Sequence, residues 1–170
     1  LKDQFRLIFD ATGALEIKGA GPEKQLSAIN AEAMAAQFAV NAVGPALLFK
    51  HTPSLLPRQG RSVIATVSAR VGSIGDNRLG GWISYRAAKA ALNQIMKTAS
   101  IELARTHPDA IVASLHPGTV QTNLSAGFTK QRKGVLTPAQ SASMMLDVLD
   151  GLSPSRTGGF FAYDASRIEW

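Results

Sequence analysis

The chain has 170 residues, 45% of them hydrophobic and 18% charged. That is one domain's worth of chain, apolar enough to bury a core and too poor in charge for a disordered segment. There is no cysteine, which excludes disulfides, thiolate metal sites and a cysteine nucleophile.

The net charge is +6, but the basic residues are scattered along the chain. Their one tight cluster is Lys130, Arg132 and Lys133, which could meet an anionic substrate or a phosphate. Nucleic-acid surfaces show a basic stripe with interleaved aromatics, and aromatics here are only 6%. The charge therefore reads as a solvated surface, with no nucleic-acid partner expected. No apolar run approaches the roughly 18 residues of a membrane span, and no secretory signal is visible. The expectation is a cytoplasmic protein with no membrane partner.

In chain order, Arg6–Asp10 is strand-like and ends in the turn signal Ala11-Thr12-Gly13. After a loop with Gly19, Gly21 and Pro22, Asn30 can cap a helix with Glu32 in its first turn. Met34, Phe38 and Val40 open an apolar face that continues to Leu47, Leu48 and Phe49, until Pro53, Pro57 and Gly60 stop it. Ser62–Val67 is a short β-branched run of the buried-strand kind. A Gly-rich loop from Gly72 to Gly81 leads into the longest helical pattern, about Ser84 to Arg105, with Leu92, Ile95, Met96, Ala99 and Leu103 on one stripe. Ile111–His116 is a second buried-type strand ended by Pro117-Gly118, Thr137-Pro138 starts a helix to about Leu149, and Gly158–Tyr163 is the last strand.

Strand and helix alternate throughout. That order predicts a single α/β domain over residues 1–170, a doubly wound parallel sheet in three α/β/α layers. Ligands in such sheets sit beyond the carboxyl ends of the strands. Those ends are Asp10 to Gly13, Ser68 to Gly72, and His116 to Thr122.

The chemistry gathers at these ends. Tyr85-Arg-Ala-Ala-Lys89 sets a phenol and an ammonium four residues apart, on one face of a helix. A nearby cation favours the phenolate, and a tyrosine so tuned can give or take a proton near neutral pH. Ser68, where the preceding strand ends, could face the phenol and hold a carbonyl oxygen. Asn41 lies inside an apolar helix four residues before Pro45, which has no N–H to donate to the Asn41 carbonyl. Either the helix kinks with the amide in a polar pocket, or the carbonyl holds a water of a proton relay. Pro117 to Thr122 follows a strand end, where its amides and hydroxyls could bind a ligand's amide or phosphate. His51, His107 and His116 lack ligand spacing, so no metal site is expected. No G-x-S-x-G elbow is present, which disfavours a serine hydrolase.

Taken together, Ala11-Thr12-Gly13, Asn41, Ser68, YRAAK (85–89) and PGTVQT (117–122) resemble the short-chain dehydrogenase/reductases. The strings GPEK (21–24), RVGSIGDN (70–77) and GGWISYRAAKAALN (80–93) look closest to the C-factor-like or sniffer-like carbonyl reductase branch. The resemblance implies a Rossmann-like fold binding NADP or NAD and a hydride exchanged with a small-molecule carbonyl or alcohol substrate. It makes Tyr85 the acid/base, has Lys89 lower the Tyr85 pKa and touch the nicotinamide ribose, and gives the relay water to the Asn41 carbonyl. Ala11, Thr12 and Gly13 would line the adenosine side; Pro117, Gly118, Thr119, Val120 and Thr122 would hold the nicotinamide amide. A homodimer or homotetramer through the two long helices is implied as well.

Two departures stand out. At the position of the family's catalytic serine, three residues before Gly72, this chain has Ala69. Ser68 or Ser73 could replace it, with Ser68 the preferred candidate. The family's opening strand and its TGxxxGxG phosphate turn are absent, so the chain reads as the part of the fold from about strand 4 to strand 7. By the size of βαβ units, about 70 to 80 residues would precede it. The sheet should then show an exposed edge at its first strand. The alternative function is a non-enzymatic, dehydrogenase-like binding or signalling module, or an inactive fragment.

Overall fold

The short β-branched and apolar runs form four strands in a computed structural model that describes residues 4–122, 124–125 and 134–170. The Lys130, Arg132 and Lys133 cluster lies outside the described residues. The strands are β1 (Leu7–Asp10), β2 (Ser62–Val67), β3 (Ala110–His116) and β4 (Gly159–Ala162). They make one sheet in the order β1-β2-β3-β4, with every neighbouring pair parallel. Leu7 pairs with Val63, Ser62 with Ala110, and Ala113 with Gly159. Because all four strands run the same way, their carboxyl ends share one edge of the sheet.

The helices are α1 (Ala31–Phe38), α2 (Gly44–Phe49), α3 (Ile83–Leu103) and α4 (Pro138–Asp150), with a π-helical segment Ala39–Val43 joining α1 to α2. Asn30 caps α1 by accepting the Ala33 N–H at 3.0 Å, as its position before Glu32 predicts. Thr137 and Gln140 close a reciprocal capping box on α4, with Pro138 in the first turn.

Alternate strand residues face opposite ways. Val63, Ala65, Ile111, Ala113, Leu115 and Phe161 meet Met145, Val148 and Leu149 of α4. Ile64, Ala110 and Val112 meet Leu92, Met96 and Leu103 of α3 and Phe49 of α2. This gives the three layers that the alternation predicts. Each Val, Leu, Ile, Met or Phe side chain so buried contributes about 1.5–3 kcal/mol.

Two expectations change. Of the apolar face read from Met34 to Phe49, only Phe49 is buried. The inward residues of the α1–α2 stretch are Gln37, Asn41, Ala42, Pro45 and Phe49, while Val43 and Leu47 are 50% and 58% exposed. The cause is a polar neighbour, the loop at Ala14 and Leu15, to which Gln37 and Asn41 bond. The stretch Ala31–Phe49, 19 residues at mean hydropathy 1.2, also reaches the length and apolarity of a membrane span, which the sequence reading did not anticipate. Here it lies against α3 and carries those two buried amides. The expected open edge is present: among the described residues β1 pairs only with β2, and Leu7 is 41% exposed.

Candidate active site

At the end of β1 the chain turns around Asp10. Its buried carboxylate accepts hydrogen bonds from Thr12 N (2.9 Å), Thr12 Oγ1 (2.6 Å) and, across the strands, Thr66 Oγ1 (2.8 Å). The turn is thereby tied to β2. Gly13 follows with φ +152°, and a Cβ there would stand 3.2 Å from both Asn41 Oδ1 and Lys89 Nζ. Only glycine leaves that approach open.

Tyr85 and Lys89 lie on one face of α3, one turn apart, and both are buried. Lys89 Nζ donates to the Val67 carbonyl at 3.0 Å and lies 5.9 Å from the centre of the Tyr85 ring. Burial pulls the Lys89 ammonium down to about 8, opposed by the negative charge of Asp10. Burial pushes the Tyr85 phenol up to about 12. Burial is the cause of that rise, opposite in direction to the lowering expected of Lys89. Among the described residues no hydrogen bond to the Tyr85 hydroxyl is present.

The polar residue and the proline that break the apolar pattern of the α1–α2 stretch have a visible structural consequence. Pro45 cannot donate to the Asn41 carbonyl, and the helix widens there into the π segment, where Gly44 N–H reaches back to Ala39 O. The Asn41 side chain is fastened on both sides. Its Oδ1 accepts from Ala14 N at 3.0 Å, and its Nδ2 donates to Ala14 O at 2.9 Å and to Gln37 Oε1 at 2.7 Å. Gln37 Nε2 in turn donates to Leu15 O at 2.8 Å. The polar-pocket alternative describes this side chain.

The Ser68 hydroxyl, the preferred candidate for the missing serine, donates to Asn93 Oδ1 at 2.7 Å, buried beneath α3. Asn93 lies about two helical turns beyond Tyr85. As the next residue after β2, Ser68 continues the inward alternation of Ile64 and Thr66, which turns it onto α3. Ala69 brings no hydroxyl to the turn, and the Ser73 oxygen accepts the Asp76 N–H at 3.0 Å.

Pro117 to Thr122 leaves the end of β3, two strands from Gly13, or about 10 Å at the usual strand spacing. Ser141 Oγ of α4 donates to Pro117 O at 2.7 Å. Gly118 has φ +80°, and a Cβ there would meet the Tyr163 ring at 2.8 Å. Val120 bridges in parallel to Leu136, with Gln121 N–H donating to Leu136 O at 2.9 Å. Thr122 N–H is taken by Ser125 Oγ at 3.1 Å. At the first strand end, Ala11 and Thr12 are exposed beside Gly13.

Sequence reasoning left three residues unassigned: Asp10, Gln37 and Glu23. A carboxylate closing an apolar strand was a readable signal for Asp10. A glutamine four residues before Asn41 was one for Gln37. Glu23 stood within the GPEK string without a role, because its partner, Ser84, is 61 residues away.

Similar proteins agree with this geometry. A profile described as short chain dehydrogenase matches residues 7–133. The C-signal protein of Myxococcus xanthus is 38% identical over 141 residues, covering 81% of this chain and 78% of that protein. The carbonyl reductase Sniffer of D. melanogaster superposes with a TM-score of 0.83 at 27% identity, over 99% of this chain and 68% of that one. An NADPH-bound carbonyl reductase from chicken fatty liver gives 0.85 at 25% identity, over 99% and 67%. The chain spans just over half the length of other curated relatives, 56% of an oxidoreductase that is 38% identical to it. The fold, the ordered site and these matches together assign the chain to the short-chain dehydrogenase family.

Proposed function

We propose that the chain belongs to an NAD(P)-dependent oxidoreductase acting on a small-molecule carbonyl or alcohol, with Tyr85 as its acid/base. The observation that carries the reading is the buried pair on α3. Lys89 is anchored on Val67 O beside Gly13 and Asn41, and the Tyr85 hydroxyl has no partner among the described residues.

The residues fit a nicotinamide coenzyme. Gly13 has no side chain where one would press on Lys89 and Asn41. Ala11, Thr12 and Gly13 would hold the adenosine side and Lys89 the ribose, with Pro117, Gly118, Thr119, Val120 and Thr122 at the nicotinamide amide. The coenzyme, when bound, supplies or accepts the hydride. The Tyr85 phenol is protonated at neutral pH and burial raises it further, so at rest it is a proton donor, suited to a developing alkoxide. The Lys89 ammonium stabilises the phenolate as that proton leaves. The Asn41 carbonyl, passed over by Pro45, would hold the relay water that returns a proton. Ala69 in the serine position brings no hydroxyl to the carbonyl oxygen, which leaves Ser68 or Ser73 to supply one, and turnover is expected to be slow.

Residues 1–170 then form one domain corresponding to the C-terminal part of the family's fold. Val40, Val43, Leu47 and Ile101, 38–58% exposed on the two long helical stretches, suit a homodimer or homotetramer. A cytoplasmic location without membrane or nucleic-acid partners belongs to the same reading. A second reading, a signalling or binding module without turnover, is favoured by Ala69 and by the likeness to the C-signal protein.

The two readings separate on Tyr85→Phe in the intact protein, assayed by coenzyme absorbance with a panel of aldehydes and ketones. Turnover that is lost in the variant while the fold is kept supports the enzyme. Equal turnover in both proteins removes Tyr85 from the mechanism.

A further inference from the structure

The loop before α1 supplies an acceptor that α3 cannot make for itself. A helix begins with N–H groups that lack intrahelical partners. The residue at the N-cap position of α3 is Trp82, whose indole offers no acceptor. The chain arrives there through three consecutive left-handed residues, Gly80 (φ +63°), Gly81 (φ +65°) and Trp82 (φ +55°). For Trp82 that conformation is strained and must be held from outside.

Glu23 holds it. The Glu23 backbone carbonyl accepts the Trp82 N–H at 2.5 Å. Its carboxylate accepts the Ser84 N–H at 3.2 Å through Oε2 and the Ser84 hydroxyl through Oε1. Ser84 is 1% exposed. Burial pushes the Glu23 carboxyl up, but the Ser84 hydrogen bonds outweigh this and hold it below the usual value. A carboxylate at this end also suits the helix dipole. Arg86 fixes the other side of the entry, donating to Gly81 O (2.9 Å), Gly80 O (3.1 Å) and Val71 O (3.3 Å). Tyr85 sits between the two fastened residues, with the Trp82 ring edge-on to its own at 6.3 Å.

We propose that Glu23 is a positioning residue for Tyr85: its carboxylate caps α3 from the neighbouring loop and so sets the place and the burial of the phenol. The proposal rests on the reading of Tyr85 as the acid/base, but the cap itself can be tested without turnover. It also couples the loop at 19–29 to the acid/base, so that displacing one displaces the other.

The test is a spectrophotometric titration of the phenol in the 170-residue chain carrying Tyr163→Phe, which leaves Tyr85 as the only tyrosine. Amide hydrogen exchange at Ser84 is followed in parallel. With Glu23 intact the phenol is expected to titrate well above its ordinary value, pushed up by burial to about 12. In Glu23→Ala the midpoint is expected to fall toward the ordinary value of 10, and exchange at Ser84 to quicken about tenfold, the usual consequence of a lost cap. Glu23→Gln keeps an acceptor without the charge and should fall between the two. If Glu23→Ala does not fold, Glu23→Gln and Ser84→Ala are read by the same criteria. An unchanged midpoint and unchanged exchange in the folded variants overturn the proposal. A wild-type protein with no oxidoreductase turnover would instead defeat the enzymatic reading and leave the cap standing.

Discussion

On the two faces of the sheet, Ile111, Val112, Ala113 and Leu115 reach 0% exposure packed in the apolar clusters. A few residues further along the same layers, Asp10, Asn41 and Lys89 are 0–2% exposed, and Tyr85 is 7%. Each of these brings a charge or a polar group out of water. The face residues stabilise the fold by leaving water. The strand-end residues are tolerated because partners satisfy them: Thr12 and Thr66 for Asp10, Ala14 and Gln37 for Asn41, Val67 O for Lys89. Buried groups whose partners only offset their loss of water, with Tyr85 and Lys89 shifted by that burial, make this end of the sheet the candidate site.

The comparison can be broken from either side. Tyr85→Phe should lower turnover about 10²- to 10⁴-fold, the usual worth of an acid/base, while the melting temperature stays the same or rises; coenzyme-linked rates and a melting curve check both. Leu115→Ala should do the reverse. It opens a cavity costing about 2–5 kcal/mol in denaturant unfolding, with the site geometry retained in whatever folds.

Lys89→Met sharpens the contrast through pH. The folded-state pKa of Lys89, about 8, lies below its ordinary 10.5, so holding it charged penalises the fold. That penalty is full below pH 8 and is relieved as pH rises from 8 to 10.5. Lys89→Met should therefore be more stable than wild type at pH 7, on the order of 2 kcal/mol after the lost Val67 bond is counted. The advantage should vanish above about pH 10.5, as melting curves across that range would record. The smallest effect is expected from Ser68→Ala. It leaves Asn93 Oδ1 without its donor at a cost of about 1 kcal/mol and should leave turnover within about twofold; a large loss of turnover would make Ser68 the catalytic hydroxyl.

The sheet was legible because its strands are short β-branched runs bounded by Gly and Pro, and burial on both faces erases any ambiguity of alternation. The capping signals at Asn30 and Thr137 were legible for the same local reason. The inward face of the α1–α2 stretch was not, because apolarity alone cannot say that the neighbouring segment is a polar loop waiting for Gln37 and Asn41. At the site, YRAAK and the proline after Asn41 were readable as spacing. The direction of Ser68 needed the register of β2 against α3, and the raised phenol needed the depth of burial. The Glu23–Ser84 contact depends on tertiary structure alone.

The most direct test of the site is a thermal-shift titration of the chain and of its Lys89→Met variant with NADH and NADPH. A ligand that binds the folded state raises the melting temperature by mass action. The account predicts a concentration-dependent rise with one of the two coenzymes, reduced or abolished by Lys89→Met. Cooperative melting that neither coenzyme moves would contradict a working coenzyme site at Gly13, Tyr85 and Lys89.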